Sequence, residues 1–233
     1  MLDIENILTE EKISREVATG RELLHNILPP SIANQLARDP TASTARFFPS
    51  VTIMQSDIVG FTKLSSALNA RDVVAMLNIM FTEFDNLSKA YDVEKICTIG
   101  DAYVACAGAP LPHENHPTSI AALAVGMLEA VKAYGAEHGP PVPGGSPLAL
   151  RIGMHTGGVV AGVMGGSFRF KYDLYGEAFH DAEMLEQSGN VGQVHLAVAT
   201  AKQILFDTLR PPQKFIVRKG SVSLRYDGEK VRH

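Results

Sequence analysis

The sequence predicts an α+β fold with a ferredoxin-like βαββαβ core, and three observations carry that prediction. Apolar runs and helical periodicities alternate as strand, helix, strand, strand, helix, strand between Val51 and about residue 164. Two aspartates stand at strand edges beside glycine, each after an apolar run: Asp57 in Ser56-Asp57-Ile58-Val59-Gly60-Phe61-Thr62 and Asp101 in Thr98-Ile99-Gly100-Asp101-Ala102-Tyr103. In this topology the third strand lies between the first two and runs antiparallel to the first. The end of the first strand then abuts the start of the third, so the two carboxylates are expected side by side.

Each element has its own signal. Residues 1–28 carry Ile4, Ile7, Leu8, Ile13, Val17, Leu24, Ile27 and Leu28 on a loose helical stripe that Gly20 interrupts. Pro29-Pro30 ends that helix. A short helix at 31–37 follows, then a linker at 38–50 containing Pro40 and Pro49. The domain boundary is placed there, with residues 1–40 as an N-terminal helix and linker and 41–233 as the main domain. Val51–Ile58 is a strand. A helix at about 70–90 shows Val73, Leu77, Met80, Phe84 and Leu87 on one face. Strands at 93–99 and 102–107 turn at Gly100-Asp101, and a helix at 117–137 is marked by Ile120, Leu123, Met127, Leu128 and Val131. After a Pro/Gly-rich loop at 139–147, strands at 148–155 and 158–164 are expected to form a hairpin through Thr156-Gly157-Gly158. A strand at 171–174, a helix at 176–187, a strand at 193–197, a helix at 199–206 and a hairpin at 214–227 complete the reading.

Composition bounds the function. The chain is 45% hydrophobic and 20% charged, ordinary for a globular protein, and its net charge of −4 supplies no basic footprint for nucleic acid. Two cysteines, Cys97 and Cys106, make no disulfide framework, which points to a reducing cytosol. No apolar run approaches the roughly 20 residues of a membrane span, and no signal peptide is legible. The chain is expected to be cytoplasmic, alone or as the cytosolic domain of a larger membrane-tethered protein.

Two carboxylates in close contact repel, and a divalent cation neutralises them. A pair of Mg²⁺ or Mn²⁺ ions does so while clamping the attacking and leaving oxygens of a phosphoryl displacement. The turn from Ile58 through Gly60 and Phe61 to Thr62 follows Asp57 directly and can aim backbone N–H groups at phosphate. The alternative is that both aspartates merely occupy turns. His113 and His116, flanked by Pro112 and Pro117, read as a solvated loop rather than a zinc site. Met76, Met80 and Met127 read as core.

SDIVGFT, TIGDAY, RIGMHTGGVVAGVMG and YDLYGE are similar to the motifs of class III nucleotidyl cyclases, the adenylyl and guanylyl cyclases. LLHNILPPSIANQL resembles the helix and Leu-Pro-Pro element before their catalytic domains, so residues 1–40 would act as a signalling or dimerisation helix. The resemblance implies a mechanism in which two metal ions activate the ribose 3′-OH of GTP or ATP, which attacks the α-phosphate and expels pyrophosphate. It assigns the metal positions to Asp57, Asp101 and the Ile58 carbonyl. Gly60, Phe61 and Thr62 fall at the triphosphate turn, Arg151 where phosphate is bound, and Arg218-Lys219 in the stretch bearing a phosphate-binding lysine.

The resemblance also implies that two domains pack head to tail, and that the second supplies purine-reading and transition-state groups. This chain departs at those positions. Cys97 stands where adenylyl cyclases have Lys and guanylyl cyclases Glu. Asp173 is adenylyl-like. His180 replaces the ribose-orienting Asn, Met184 replaces the transition-state Arg, and Gln55 replaces an aromatic residue. Positions 180 and 184 are one helical turn apart and share a face. Loss of one preorganised transition-state donor costs about 10²–10³ in rate. The metal face is complete and the purine face altered, as in the metal-contributing subunit of a heterodimer whose partner brings Asn and Arg. The alternatives are a pseudo-cyclase that binds nucleotide or a partner without turnover, and a dinucleotide cyclase on a similar sheet. The Leu-Pro-Pro element leans the base preference toward guanine.

Overall fold

The computed structural model describes residues 12, 14–20, 23–25, 27–165, 170–207, 214–218 and 221–225. The first eleven positions assigned to the N-terminal helix, and Lys219, lie outside that set, whereas 14–20 and 23–25 are helical. Two compact units divide the chain: Met1–Arg46 with Ala161–Asp173, and Phe47–Val160 with Leu174–His233.

The elements run α1 (Pro30–Arg38), β1 (Arg46–Ile58), α2 (Phe61–Ala67), α3 (Ala70–Ala90), β2 (Glu94–Ile99), β3 (Ala102–Ala107), α4 (His116–His138), β4 (Leu150–Gly165), β5 (Phe170–Tyr175), α5 (Glu177–Gln187), β6 (Val194–Ala197), α6 (Val198–Asp207), β7 (Lys214–Arg218) and β8 (Ser221–Arg225). The sheet order is β2-β3-β1-β4-β6-β8-β7, with β5 paired to β4 off that path. Its first four strands have the ferredoxin-like order expected from the sequence. β1 and β3 pair antiparallel, with Ser56 opposite Tyr103. β6 lies parallel to β4 and begins the C-terminal extension.

The core of the larger unit packs α3 and α4 on the sheet. Met80, Phe84, Ile120, Leu123 and Met127 meet Met54, Tyr103, Ile152 and Met154 there. Ile120, Leu123 and Met127 are fully buried, and each such side chain contributes roughly 1.5–3 kcal/mol on leaving water. By length and composition α4 could cross a membrane; here its apolar side chains form the core instead. Asn69 caps α3 by accepting from the Asp72 amide at 3.0 Å.

Several sequence expectations need correction. β1 begins at Arg46, inside the stretch read as linker, and Pro49 sits within it. The hairpin expected through Thr156-Gly157-Gly158 is one continuous strand, Leu150–Gly165. Those glycines do not have positive φ; they serve close packing. A Cβ on Gly157 would lie 3.0 Å from the Ala178 Cβ, and one on Gly158 would lie 3.1 Å from the Phe47 ring. His116 is not in a solvated loop. It opens α4, is buried, and its Nδ1 lies 2.8 Å from the Thr52 hydroxyl, which in turn meets Thr156 at 2.7 Å. A short helix, α2, occupies what read as a bare turn; Gly60 precedes it with φ +74°, a conformation that favours glycine.

In the smaller unit, α1 buries Ile32 and Ala33. The Val163 amide donates to the Thr44 hydroxyl at 2.8 Å. Gly162 is obligatory there, since a Cβ would fall 2.7 Å from the Ala45 Cα.

Candidate active site

The end of β1 and the start of β3 meet as the strand order requires. Gly100, at φ +63°, makes the tight turn from β2 into Asp101. Two residues on, Tyr103 anchors β3: its ring packs edge-on to Phe84, and its hydroxyl donates to Asp85 at 2.8 Å and meets Ser88 at 3.0 Å. Asp101 is held at the sheet edge by this anchor and accepts the Ile58 amide at 3.1 Å on Oδ2.

The Asp101 carboxyl also neighbours that of Asp57. Burial, then the adjoining Asp57 carboxyl and its charge, push its pKa up to about 6, against the opposing pull of its own amide and that of Ile58. Two carboxylates forced together at a half-buried edge form a hard, oxygen-rich donor set that a divalent cation would relieve. The residues therefore fit the metal role; Asp57, Asp101 and the Ile58 carbonyl could hold it. Among the described residues no cluster of three His, Cys, Asp or Glu side chains is preformed for a metal, so the carboxylate pair would depend on backbone and phosphate oxygens or water to complete a shell.

Arg151, near the start of β4, reaches the same place. Its Nη2 donates to Asp57 Oδ2 at 3.1 Å and its Nε to Glu186 Oε1 at 2.9 Å. Glu186 comes from α5, and its position depends on Gly153. A Cβ there would lie 2.1 Å from the Glu186 nitrogen and 2.3 Å from the Ala182 oxygen. Arg151, Gly153 and His155 share one side of β4, by the two-residue period of a strand. α5 lies along that side: His155 meets Asp181 at 3.6 Å, and Gly153 meets Ala182 and Glu186. Sequence reasoning missed Glu186. Its signal was the stripe Ala178, Ala182, Glu186 at spacing four, two small residues ending in a buried acid. Burial holds its carboxyl above the usual range although Arg151 pulls it down.

The other sequence-predicted residues fall as follows. Val59, between the aspartate and the turn, donates to the Ala149 carbonyl at 2.9 Å. Thr62 is exposed in the first turn of α2, and Phe61 packs partly on the core. First-turn amides have no intrahelical acceptor, so the Gly60–Thr62 backbone is available to an anion. Gln55 is buried and donates to the Phe179 carbonyl at 3.0 Å, tying β1 to the start of α5. Cys97 is half-buried beside a register irregularity in β2. Asp173 lies in the smaller unit, buried, with Lys171 Nζ 2.6 Å from its Oδ2. His180 and Met184 lie on the exposed side of α5; the His180 side chain is 70% exposed and contacts Glu183 at 3.7 Å, and Met184 is 49% exposed.

The ferredoxin-like sheet thus brings paired carboxylates and an arginine to one strand end. Residues 44–232 match the family of adenylate and guanylate cyclase catalytic domains. The chain is 39% identical over 206 residues to the speract receptor of Strongylocentrotus purpuratus, covering 87% of this chain and 18% of that one. It is 36% identical over 207 residues to guanylate cyclase soluble subunit beta-2 of Rattus norvegicus, covering 89% and 29%. The guanylate cyclase domain of a protein from Catenaria anguillulae, solved in complex with GTP, superposes with a TM-score of 0.64 at 29% identity, covering 77% of this chain and 96% of that one. This chain belongs to the adenylate and guanylate cyclase catalytic-domain family. It spans under a third of the curated relatives named.

Proposed function

We propose that this chain converts GTP or ATP to the 3′,5′-cyclic nucleotide and pyrophosphate, as the metal-contributing subunit of a heterodimer, with a lean to GTP. The observation that carries this reading is the convergence of Asp57, Asp101 and Arg151 at one strand end. Two divalent ions, when bound, would supply the Lewis acidity that makes the ribose 3′-OH nucleophilic. Asp57 and Asp101 hold negative charge where those ions are needed, and the Ile58 carbonyl extends the donor set. Arg151 brings a fixed positive charge to the triphosphate. The Gly60–Thr62 backbone cradles phosphate oxygens, and Lys219 belongs to the same role.

The lean to GTP rests on relatives named as guanylate cyclases and on a neighbour solved with GTP. The heterodimer rests on His180 and Met184, which present neither an amide nor a cation from the exposed side of α5. A partner would supply Asn, Arg and the purine-reading groups that Cys97 and Asp173 leave incomplete. Residues 1–40 would form the signalling or dimerisation segment ahead of residues 41–233. A cytoplasmic setting accords with Cys97 and Cys106, neither of which is in a disulfide. The same exposed His180 and Met184 favour the second reading, a pseudo-cyclase.

The test assays the purified chain on GTP and ATP with Mg²⁺ and Mn²⁺, alone and mixed with a cyclase domain that carries the Asn and Arg. The heterodimer reading expects activity only in the mixture, abolished by Asp57→Ala. Turnover by the chain alone at the rate of the mixture rejects the subunit assignment. No turnover in any mixture supports the pseudo-cyclase.

A further inference from the structure

Building on the reading of Asp57 and Asp101 as metal carboxylates, we propose that Glu186 is a positioning residue that tethers Arg151 by its Nε. The outer guanidinium nitrogens can then leave Asp57 for an incoming phosphate while the arginine stays in the site.

The guanidinium is divided between two unlike acceptors. Its Nε–H goes to Glu186 Oε1 at 2.9 Å, and Glu186 is only 9% exposed along its side chain. Its Nη2–H goes to Asp57 Oδ2 at 3.1 Å, at a more open carboxylate that also faces Asp101. A cation on Asp57 would use the lone pairs that Nη2 occupies, and it would repel the guanidinium as well. The Nη2 bond must therefore give way when the ion binds. The Nε bond need not, because Glu186 lies on α5 and not among the metal donors. Without that anchor a free arginine, a long side chain with many accessible rotamers, would close on Asp57 or swing into water. The anchor itself is fixed: contact with Gly153 brings the Glu186 backbone against β4, two residues from Arg151 on the same side of the strand. Arg151 keeps an open edge, its side chain being 30% exposed.

A buried ion pair with a purely structural role would also explain the contact, so the experiment separates geometry from charge. Mn²⁺ binding to the full chain is followed without nucleotide by loss of the free-ion EPR signal, and each variant is checked by thermal melting. Glu186→Asp keeps the charge but withdraws the acceptor by one methylene. Glu186→Gln keeps the acceptor in place but loses the charge. The tether predicts that Glu186→Asp weakens Mn²⁺ binding about tenfold, the scale seen when groups behind a metal's ligands are lost. It predicts that Glu186→Gln stays within about threefold of the parent, and that in an Arg151→Ala background Glu186→Asp has no effect, so the two sites are coupled. Loss of binding in Glu186→Gln with Glu186→Asp intact assigns Glu186 the role of a bare negative charge and overturns the tether. So do equal effects in both Arg151 backgrounds, or no effect of either substitution. If the parent binds no Mn²⁺, or Asp57→Ala binds it as well as the parent, the carboxylate reading itself fails, which is a different result.

Discussion

The two sides of α5 sit in opposite environments. Its inner side, Ala178, Ala182 and Glu186, is buried and locked against Gly157 and Gly153 of β4, and its last member grips Arg151. Its outer side carries the exposed side chains of His180 and Met184, His180 at a long 3.7 Å contact with Glu183. A residue on the inner side is constrained by neighbours in its own chain: changing it opens a cavity, creates a clash or strands a buried charge. A residue on the outer side has its chemistry only if another domain is laid against it. The proposed metal half of the site can thus stay whole while the proposed partner-facing half is exchanged, because the same helix separates them.

The largest effect expected tests the inner half. Asp57→Ala removes a charge from the carboxylate pair, and cyclase activity of the chain with its partner should fall by at least about 10³, measured by nucleotide product analysis. Activity that survives would mean the two carboxylates are turn residues.

The outer half is tested by repair. His180→Asn with Met184→Arg places an amide and a cation one turn apart on the exposed side, and the lone chain should gain about 10² in rate. The gain should vanish when Asp57→Ala is added. A repaired chain that remains silent would place the fault outside α5.

Gly153→Ala probes the seam between the two. The added carbon meets helix backbone, which cannot swing away, so α5 must lift off β4. A loss of about 2–3 kcal/mol is expected, read as a fall of several degrees in Tm, with weaker Mn²⁺ binding because Glu186 moves with the helix. Met184→Ala, on the outer side of the same helix, should leave Tm nearly unchanged.

The smallest effect lies away from α5 and is a control on pH. Burial and Asp92 push Glu94 up to about 7. Its folded value lies above its unfolded value, so the folded state binds the proton more tightly. Glu94 therefore costs stability as pH rises from about 4.5 to 7. Glu94→Gln should raise Tm at pH 8 by a few degrees, about 1–2 kcal/mol, and leave it unchanged near pH 4. Asp101 has the same sign between 3.8 and about 6, so Asp101→Asn should also stabilise the fold above pH 6 while removing activity.

Much of this was legible in order and periodicity. Val73, Met80 and Phe84 mark α3, and Ile120, Leu123 and Met127 mark α4, because a helix that covers a sheet must repeat its apolar side every three to four residues. Gly157 and Gly158 misled, since glycine signals a turn and close packing alike and only the neighbour decides. Phe47 and Ala178 are that neighbour, far away in sequence. His116 misled for the same reason: two prolines nearby suggest a loop, whereas Pro117 sits in the first turn of α4 and the imidazole is taken up by Thr52.

By itself the sequence determined that Asp57 and Asp101 would meet, because the alternation of strand and helix sets the strand order, and adjacent strand ends follow from it. It also determined that His180 and Met184 would share one side of a helix, because that is a matter of local pitch. Only the tertiary structure decided that Arg151 would be divided between Asp57 and Glu186, and that β4 would run unbroken through its glycines. Both depend on how closely α5 approaches the sheet, which is set by the missing side chain at Gly153 acting on residues some thirty positions away, and no local pattern encodes that distance.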